Sequence, residues 1–194
     1  MRGITLYFVR HGETDWNAER RYQGQTDIPL NEKGRSQSRR NGEALREHLT
    51  ALRDADFIAS PLNRARETME ILRTCLALDP RAYRIDQRLI ELSYGAWEGQ
   101  LQADLPRIDP EGLAARKKDP YRWRPEGGES YADLLNRTID WLATIERDTV
   151  IASHGGVSRC LRAHLLDLAQ DSIPHLESPQ DKVLILRKGS MAWV

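Results

Sequence analysis

Short apolar runs alternating with segments of helical period constrain this chain more than any other feature of its sequence. Ile4 to Val9, Phe57 to Ala59, Thr149 to Ala152 and Val183 to Leu186 read as strands, with Met191 to Val194 as a partner for the last. The first three lack polar alternation, the pattern of strands covered on both faces. Between the runs, apolar residues recur at intervals of three and four: Leu45, Leu49 and Leu52; Ala65, Met69, Leu72 and Leu76; Tyr131, Leu135, Thr138, Leu142 and Ile145; Val157, Leu161, Leu165 and Leu168. Each set falls on one face of a helix. Asn31 reads as the N-cap of the first helix, and Ser130 with Asp133 as a capping box on the third. Alternating strands and helices predict an α/β fold around a largely parallel sheet. The stretch from about 93 to 128 breaks the pattern with Pro106, Pro110, Pro120 and Pro125. It is expected to be an insertion over one end of the sheet, within a single domain spanning 1–194.

Composition narrows the function classes. Lys plus Arg number 29 and so do Asp plus Glu, so no net field holds nucleic acid or an anionic membrane, and any anion site must be local. No apolar run approaches the roughly 20 residues of a transmembrane helix. The first run is also short for a signal peptide and is followed directly by Arg10 and His11, so cytoplasmic residence is expected. Cys75 and Cys160 lie in apolar stretches without a CxxC spacing and read as buried free thiols, not as a disulfide or a zinc site.

The chemistry gathers where strands turn into helices, since ligands of open α/β sheets bind at the carboxyl ends of the strands. Three such turns are Arg10-His11-Gly12, Ser60-Pro61-Leu62-Asn63-Arg64 and Ser153-His154-Gly155-Gly156. Together they supply two histidines and two arginines, a set suited to a phosphoryl group because the guanidinium fork matches phosphate oxygens. With no Gly-Lys-Ser/Thr phosphate loop and no carboxylate cluster for magnesium, covalent catalysis by a histidine is one answer. Protonating the leaving oxygen needs an acid. Glu91, which leads into a glycine-punctuated segment, is the first candidate, and Glu98 the next.

Arg10-His11-Gly12-Glu13-Thr14 with Trp16-Asn17 resembles the signature of the histidine phosphatase superfamily, the phosphoglycerate mutase-like proteins. The match continues through Gln23-Gly24, Asp27, Pro29-Leu30, Gly34, Gln37, Ser60-Pro61-Leu62, Arg64-Ala65 and Thr68. It resumes at Glu91, Gly95, Trp97-Glu98-Gly99, Gly127-Gly128-Glu129-Ser130 and Ser153-His154-Gly155-Gly156. Blocks in this order over nearly the whole chain make the assignment specific. The resemblance implies the three-layer phosphoglycerate mutase-like fold. It makes His11 the phosphorylated nucleophile, Arg10, Arg64 and His154 the phosphate ligands, and Glu91 the proton donor. Asn17, Gln23, Tyr94 and the backbone at Gly24 and Gly155 match positions lining the same pocket. No metal or organic cofactor is implied, and the partner is a small phosphorylated substrate on a monomer or homodimer.

The phosphatase branch is favoured over the mutases: where the mutase pattern has a lysine eleven residues after the glutamate, this chain has Gln102. Arg116, Lys117 and Lys118 are the substitute charges on which a mutase reading rests; their plain reading is a solvated helical face. A noncatalytic phosphoryl-binding module is the other alternative, opposed by the complete set His11, Arg10, Arg64, Glu91 and His154. His48, His164 and His175 lie outside the blocks and read as structural or surface residues, and Trp97 and Trp123 as packing.

Overall fold

The protein is described from a computed structural model, in which residues 3–48, 52 and 54–194 are placed. In chain order the elements are β1 (Leu6–Arg10), α1 (Asp15–Ala18), α2 (Glu32–Arg46), β2 (Asp56–Ala59), α3 (Asn63–Cys75), β3 (Arg84–Ile85), α4 (Leu105–Ile108), α5 (Pro110–Lys118), α6 (Tyr131–Leu142), β4 (Thr149–Ser153), α7 (Gly155–Leu165), β5 (Val183–Arg187) and β6 (Ser190–Trp193). The strands form one sheet in the order β3-β2-β4-β1-β5-β6. β1 to β4 run parallel, β5 pairs antiparallel with β1, and β6 pairs antiparallel with β5.

The missing polar alternation has a direct cause. Leu6 and Phe8 of β1, with Ile58 and Ile151, pack against Leu134, Trp141 and Leu161 of the α6 and α7 layer. Tyr7, Val9, Phe57, Ala59, Val150 and Ala152 pack on the opposite side against Leu45, Met69 and Leu72 of the α2 and α3 layer. Successive strand residues alternate faces, and both faces are covered. Each fully buried Leu, Ile or Phe in these layers contributes roughly 1.5–3 kcal/mol. Two predicted caps form: the Asn31 side chain accepts from Gly34 N, and Ser130 and Asp133 close a reciprocal capping box on α6.

Four sequence expectations are corrected. The edge strand β3 was not expected, because two exposed residues leave no apolar run. α2 ends at Arg46, so Leu52 lies outside it, and Leu49 falls outside the described residues. α7 ends at Leu165 and leaves Leu168 38% exposed. Cys160 is buried, but Cys75, at the end of α3, is only partly so. Among the described residues no helix is long and apolar enough to cross a membrane.

Candidate active site

Strand register assembles the site. Arg10 lies opposite Ser153, and Ala59 opposite Ala152, so the ends of β1, β4 and β2 are neighbours. His11 N donates to Ser153 O (2.8 Å) and Ser60 N to Ala152 O (3.0 Å), carrying the pairing one residue past the strands. There the chain closes on a cavity of about 300 Å³ walled by Arg10, His11, Asn17, Gln23, Gly24, Arg64, Glu91, Tyr94 and Gly155. Two larger clefts, of 690 and 740 Å³, flank Tyr83 and have no histidine on their walls.

His11 is 2% exposed, and its Nδ1 lies 2.8 Å from the Gly12 carbonyl. A carbonyl only accepts, so Nδ1 carries the hydrogen and Nε2 keeps a free lone pair. Burial, then the Arg64 and Arg10 cations, hold the His11 pKa well below its ordinary value and so favour the neutral ring at neutral pH. Gly12 is fixed by a close approach: a Cβ there would lie 2.1 Å from the Gly34 carbonyl oxygen.

Arg64, in the first turn of α3, is fully buried. It donates to the carbonyls of Thr26 (2.7 Å) and Gly24 (2.6 Å), and its Nε donates to the Gln23 amide oxygen (2.7 Å), whose nitrogen faces Thr14 Oγ1. Burial lowers its pKa to about 10 despite Glu91 and Asp27, which favour the charged form. A lost share of its charge stabilisation is what a bound anion restores. Gly24 has φ +55°, and a Cβ would meet the Glu98 carboxylate at 2.1 Å. That carboxylate accepts from Gln25 N (3.0 Å), Thr26 N (3.0 Å), Thr26 Oγ1 (2.6 Å) and Tyr94 N (3.1 Å). Glu98 is therefore committed to holding the loop that holds Arg64, and it is not on the cavity wall.

Glu91 is on the wall. Its Oε1 accepts from Leu92 N (2.8 Å) and Gly156 N (3.1 Å), and Oε2 from Gly156 N (3.3 Å). Behind it Arg137 donates to the carbonyls of Arg88 (2.7 Å), Ile90 (2.6 Å) and Glu91 (3.0 Å), while Glu129 pairs with Arg137 (3.1 Å) and accepts from Ser93 N (3.0 Å). The Gly-Gly-Glu-Ser block is thus a support for the Glu91 segment.

His154 lies behind the wall instead of on it. It is fully buried, its ring centroid 5.2 Å from that of His11 and the planes 60° apart. Nε2 meets Ser60 Oγ at 2.6 Å, and Nδ1 has no partner; Arg10 Nε, also buried, has none either. Unpaired buried polar atoms are costly, and the Arg10 Nε–H is a donor of the kind an anion satisfies.

Arg159 and Tyr131 are on the wall without having been expected there, and Arg116, expected on a solvated helical face, joins them. Arg159 of α7 donates Nε to Leu176 O (2.6 Å) and NH1 to the Tyr131 hydroxyl (3.0 Å); Arg116 of α5 donates to the Tyr22 hydroxyl. Lys117 and Lys118 are exposed as expected, but Arg116 turns into the cavity over Tyr22 and Trp97. Trp97 and Trp123 stack on each other, centroids 4.4 Å apart, as packing. Among the described residues none of Arg10, Arg64, Arg116 and Arg159 forms an ion pair.

A largely parallel α/β sheet whose strand ends bring a buried histidine and two arginines to a cavity with one carboxyl group fits a class, the enzymes that transfer phosphoryl groups through histidine. The family described as the histidine phosphatase superfamily (branch 1) matches residues 6–194. A glucosyl-3-phosphoglycerate phosphatase of Mycolicibacterium vanbaalenii is 35% identical, over 100% of this chain and 84% of its own length. A probable phosphoglycerate mutase of Salmonella paratyphi C is 36% identical over 85% and 76%. The solved structure of a mycobacterial glucosyl-3-phosphoglycerate phosphatase complexed with VO3 superimposes with a TM-score of 0.78 at 31% identity, covering 99% of this chain and 96% of that one. The chain belongs to the histidine phosphatase superfamily, and its activity class is phosphoric monoester hydrolysis.

Proposed function

We propose that this site hydrolyses a small phosphomonoester whose leaving group bears a second anionic group. The His11 Nε2 lone pair attacks phosphorus as the bond to the leaving oxygen breaks, and Glu91 gives that oxygen its proton. Arg10, Arg64, Asn17 and the Gly155 backbone offset charge on the other phosphoryl oxygens, with the neutral His154 behind them. Water then attacks phosphorus, its proton returns to Glu91, the P–N bond breaks and His11 is restored.

One observation carries the substrate class: four unpaired arginines face one cavity that holds a single carboxyl group. Arg10 and Arg64 suffice for a phosphoryl group, which leaves Arg116 and Arg159 for another anion. Burial works against charge on Arg159, whereas the Glu91 carboxylate and the hydrogen bond to the Tyr131 hydroxyl favour it, and its pKa is raised. Tyr94 and Tyr131, whose pKa values burial raises, remain neutral donors beside it. The named substrate of the mycobacterial relatives, glucosyl-3-phosphoglycerate, carries such a group in the carboxylate of its glycerate part. The neutral Gln102 on the wall favours hydrolysis over mutase-type transfer.

The test is a panel of monoesters assayed for released phosphate, with 3-phosphoglycerate and glycerol 3-phosphate as the matched pair and 2-phosphoglycerate formation followed. A charge-assisted hydrogen bond of about 1.5–3 kcal/mol predicts roughly a 10- to 100-fold preference for the carboxylate-bearing ester, lost in Arg116→Met. Equal kcat/KM for the pair contradicts the substrate class, and dominant 2-phosphoglycerate formation contradicts hydrolysis.

A further inference from the structure

Gln180 lies in the segment before β5, off the cavity wall and 169 residues from His11. Its neighbours nevertheless reach the site through their backbone: Ser178 O accepts from Arg10 NH1 (2.6 Å) and Leu176 O from Arg159 Nε (2.6 Å). Asn41 Nδ2 donates to Gln180 O (3.0 Å) and fixes the segment against α2.

We propose that Gln180 is a positioning residue that decides which end of the Asn17 amide faces the phosphoryl group. Two backbone groups beside these side chains, the His11 carbonyl and the Thr14 N–H, have a polarity that cannot change. The His11 carbonyl is 3.0 Å from Gln180 Nε2, so the nitrogen of the Gln180 amide must lie on that side. The same nitrogen donates to Asn17 Oδ1 (3.0 Å), and Thr14 N–H also donates to Asn17 Oδ1 (3.3 Å). Two donors therefore occupy the Asn17 oxygen. Asn17 is on the cavity wall, and its Nδ2 has no protein partner among the described residues, so the end left for the ligand is a donor. Turned over, the Asn17 amide would set N–H against N–H at both contacts and present lone pairs to phosphoryl oxygens. Gln180, with the Thr14 N–H, thus fixes the sign of the Asn17 contribution and, by holding the His11 carbonyl, ties that choice to the backbone of His11.

This inference rests on the reading that the cavity takes a phosphoryl group at His11, and its test separates the two. Gln180→Glu has the same shape but cannot donate, so Asn17 turns its Nδ2 to the new carboxylate. Gln180→Met keeps the length and removes both bonds. With a monoester substrate, kcat/KM falls about 10- to 100-fold in Gln180→Glu, the range for a charge-assisted hydrogen bond lost, and about tenfold in Gln180→Met. In an Asn17→Ala background both substitutions cost less than about twofold, because the residue through which they act is gone. Side-chain amide NMR supplies a readout independent of turnover: inorganic phosphate shifts the Asn17 NH2 resonances of the wild type and leaves those of Gln180→Glu unmoved. Wild-type activity in Gln180→Glu, or equal losses with and without Asn17, overturns the proposal. A wild type that binds phosphate through Asn17 but hydrolyses no monoester contradicts the phosphatase reading and leaves the positioning role standing.

Discussion

Replacing Glu98 by glutamine removes one charge and almost no volume, and the structure predicts a loss indifferent to the leaving group. The carboxylate accepts four hydrogen bonds at 3.1 Å or less, from Gln25 N, Thr26 N, Thr26 Oγ1 and Tyr94 N. An amide accepts only through its oxygen. If that oxygen keeps Gln25 N and Tyr94 N, the amide nitrogen faces Thr26; the Thr26 hydroxyl can turn to accept, but Thr26 N–H is left opposite a donor. One orphaned N–H costs about 1–3 kcal/mol, and loss of charge from the remaining bonds adds about 1 kcal/mol. A total of about 2–4 kcal/mol lowers Tm by roughly 4–16 °C in a chain of this size. The same loop presents the Gly24 and Thr26 carbonyls to Arg64, so Arg64 loosens and phosphoryl binding weakens for every substrate. Calorimetry gives the Tm, and kcat/KM on an alkyl phosphate and a nitrophenyl phosphate gives the second readout, expected to fall by the same factor on both. An unchanged Tm refutes the loop-holding role. A loss confined to the alkyl ester would make Glu98 the acid and refute the assignment to Glu91.

Two further outcomes follow from the titrating groups. Glu91→Gln should slow alkyl phosphate cleavage by about 10²- to 10⁴-fold, with a much smaller effect on His11 phosphorylation by a nitrophenyl ester; burst kinetics separate that step from hydrolysis, and equal losses in phosphorylation exclude Glu91 as the acid. His11 and His154 are neutral when folded, their pKa values held well below 6.5 by burial and then by the Arg64 cation, whereas the unfolded chain takes up protons near 6.5. Their contribution to stability is therefore complete above pH 6.5 and is lost as pH falls from there toward the depressed folded values, at up to about 2.7 kcal/mol per pH unit for the pair. Carboxylates with lowered pKa values, such as Glu13 and Asp133, act at lower pH, so a ΔG of unfolding that is flat between pH 6.5 and 5 would contradict the neutral pair.

What was legible in the sequence was local. Arg10, His11 and Arg64 sit one or two residues beyond or inside recognisable element ends, and strand register alone brings those ends together. The helices of β1's two covering layers were legible because Leu45, Met69 and Leu161 keep a helical period. β3 was not, because a two-residue edge strand paired on one side needs no apolar pattern. Arg159 and Tyr131 read as ordinary positions of amphipathic helices, and only the packing of α6 on α7 aims both at the cavity. Arg116 sits in a segment whose direction no periodicity sets. Gln180 left no sequence signal at all, since its partners, Asn17 and the His11 carbonyl, are at the other end of the chain.

The central claim is that His11 Nε2 carries the phosphoryl group. Rapid quenching of the enzyme with ³²P-labelled monoester, followed by proteolysis and peptide sequencing, tests it most directly. Label is expected on the peptide containing His11, stable in base, labile in acid, formed at the rate of the burst and missing from His11→Ala, which no longer turns over. Full activity in His11→Ala, or turnover without a labelled histidine under burst conditions, would contradict it.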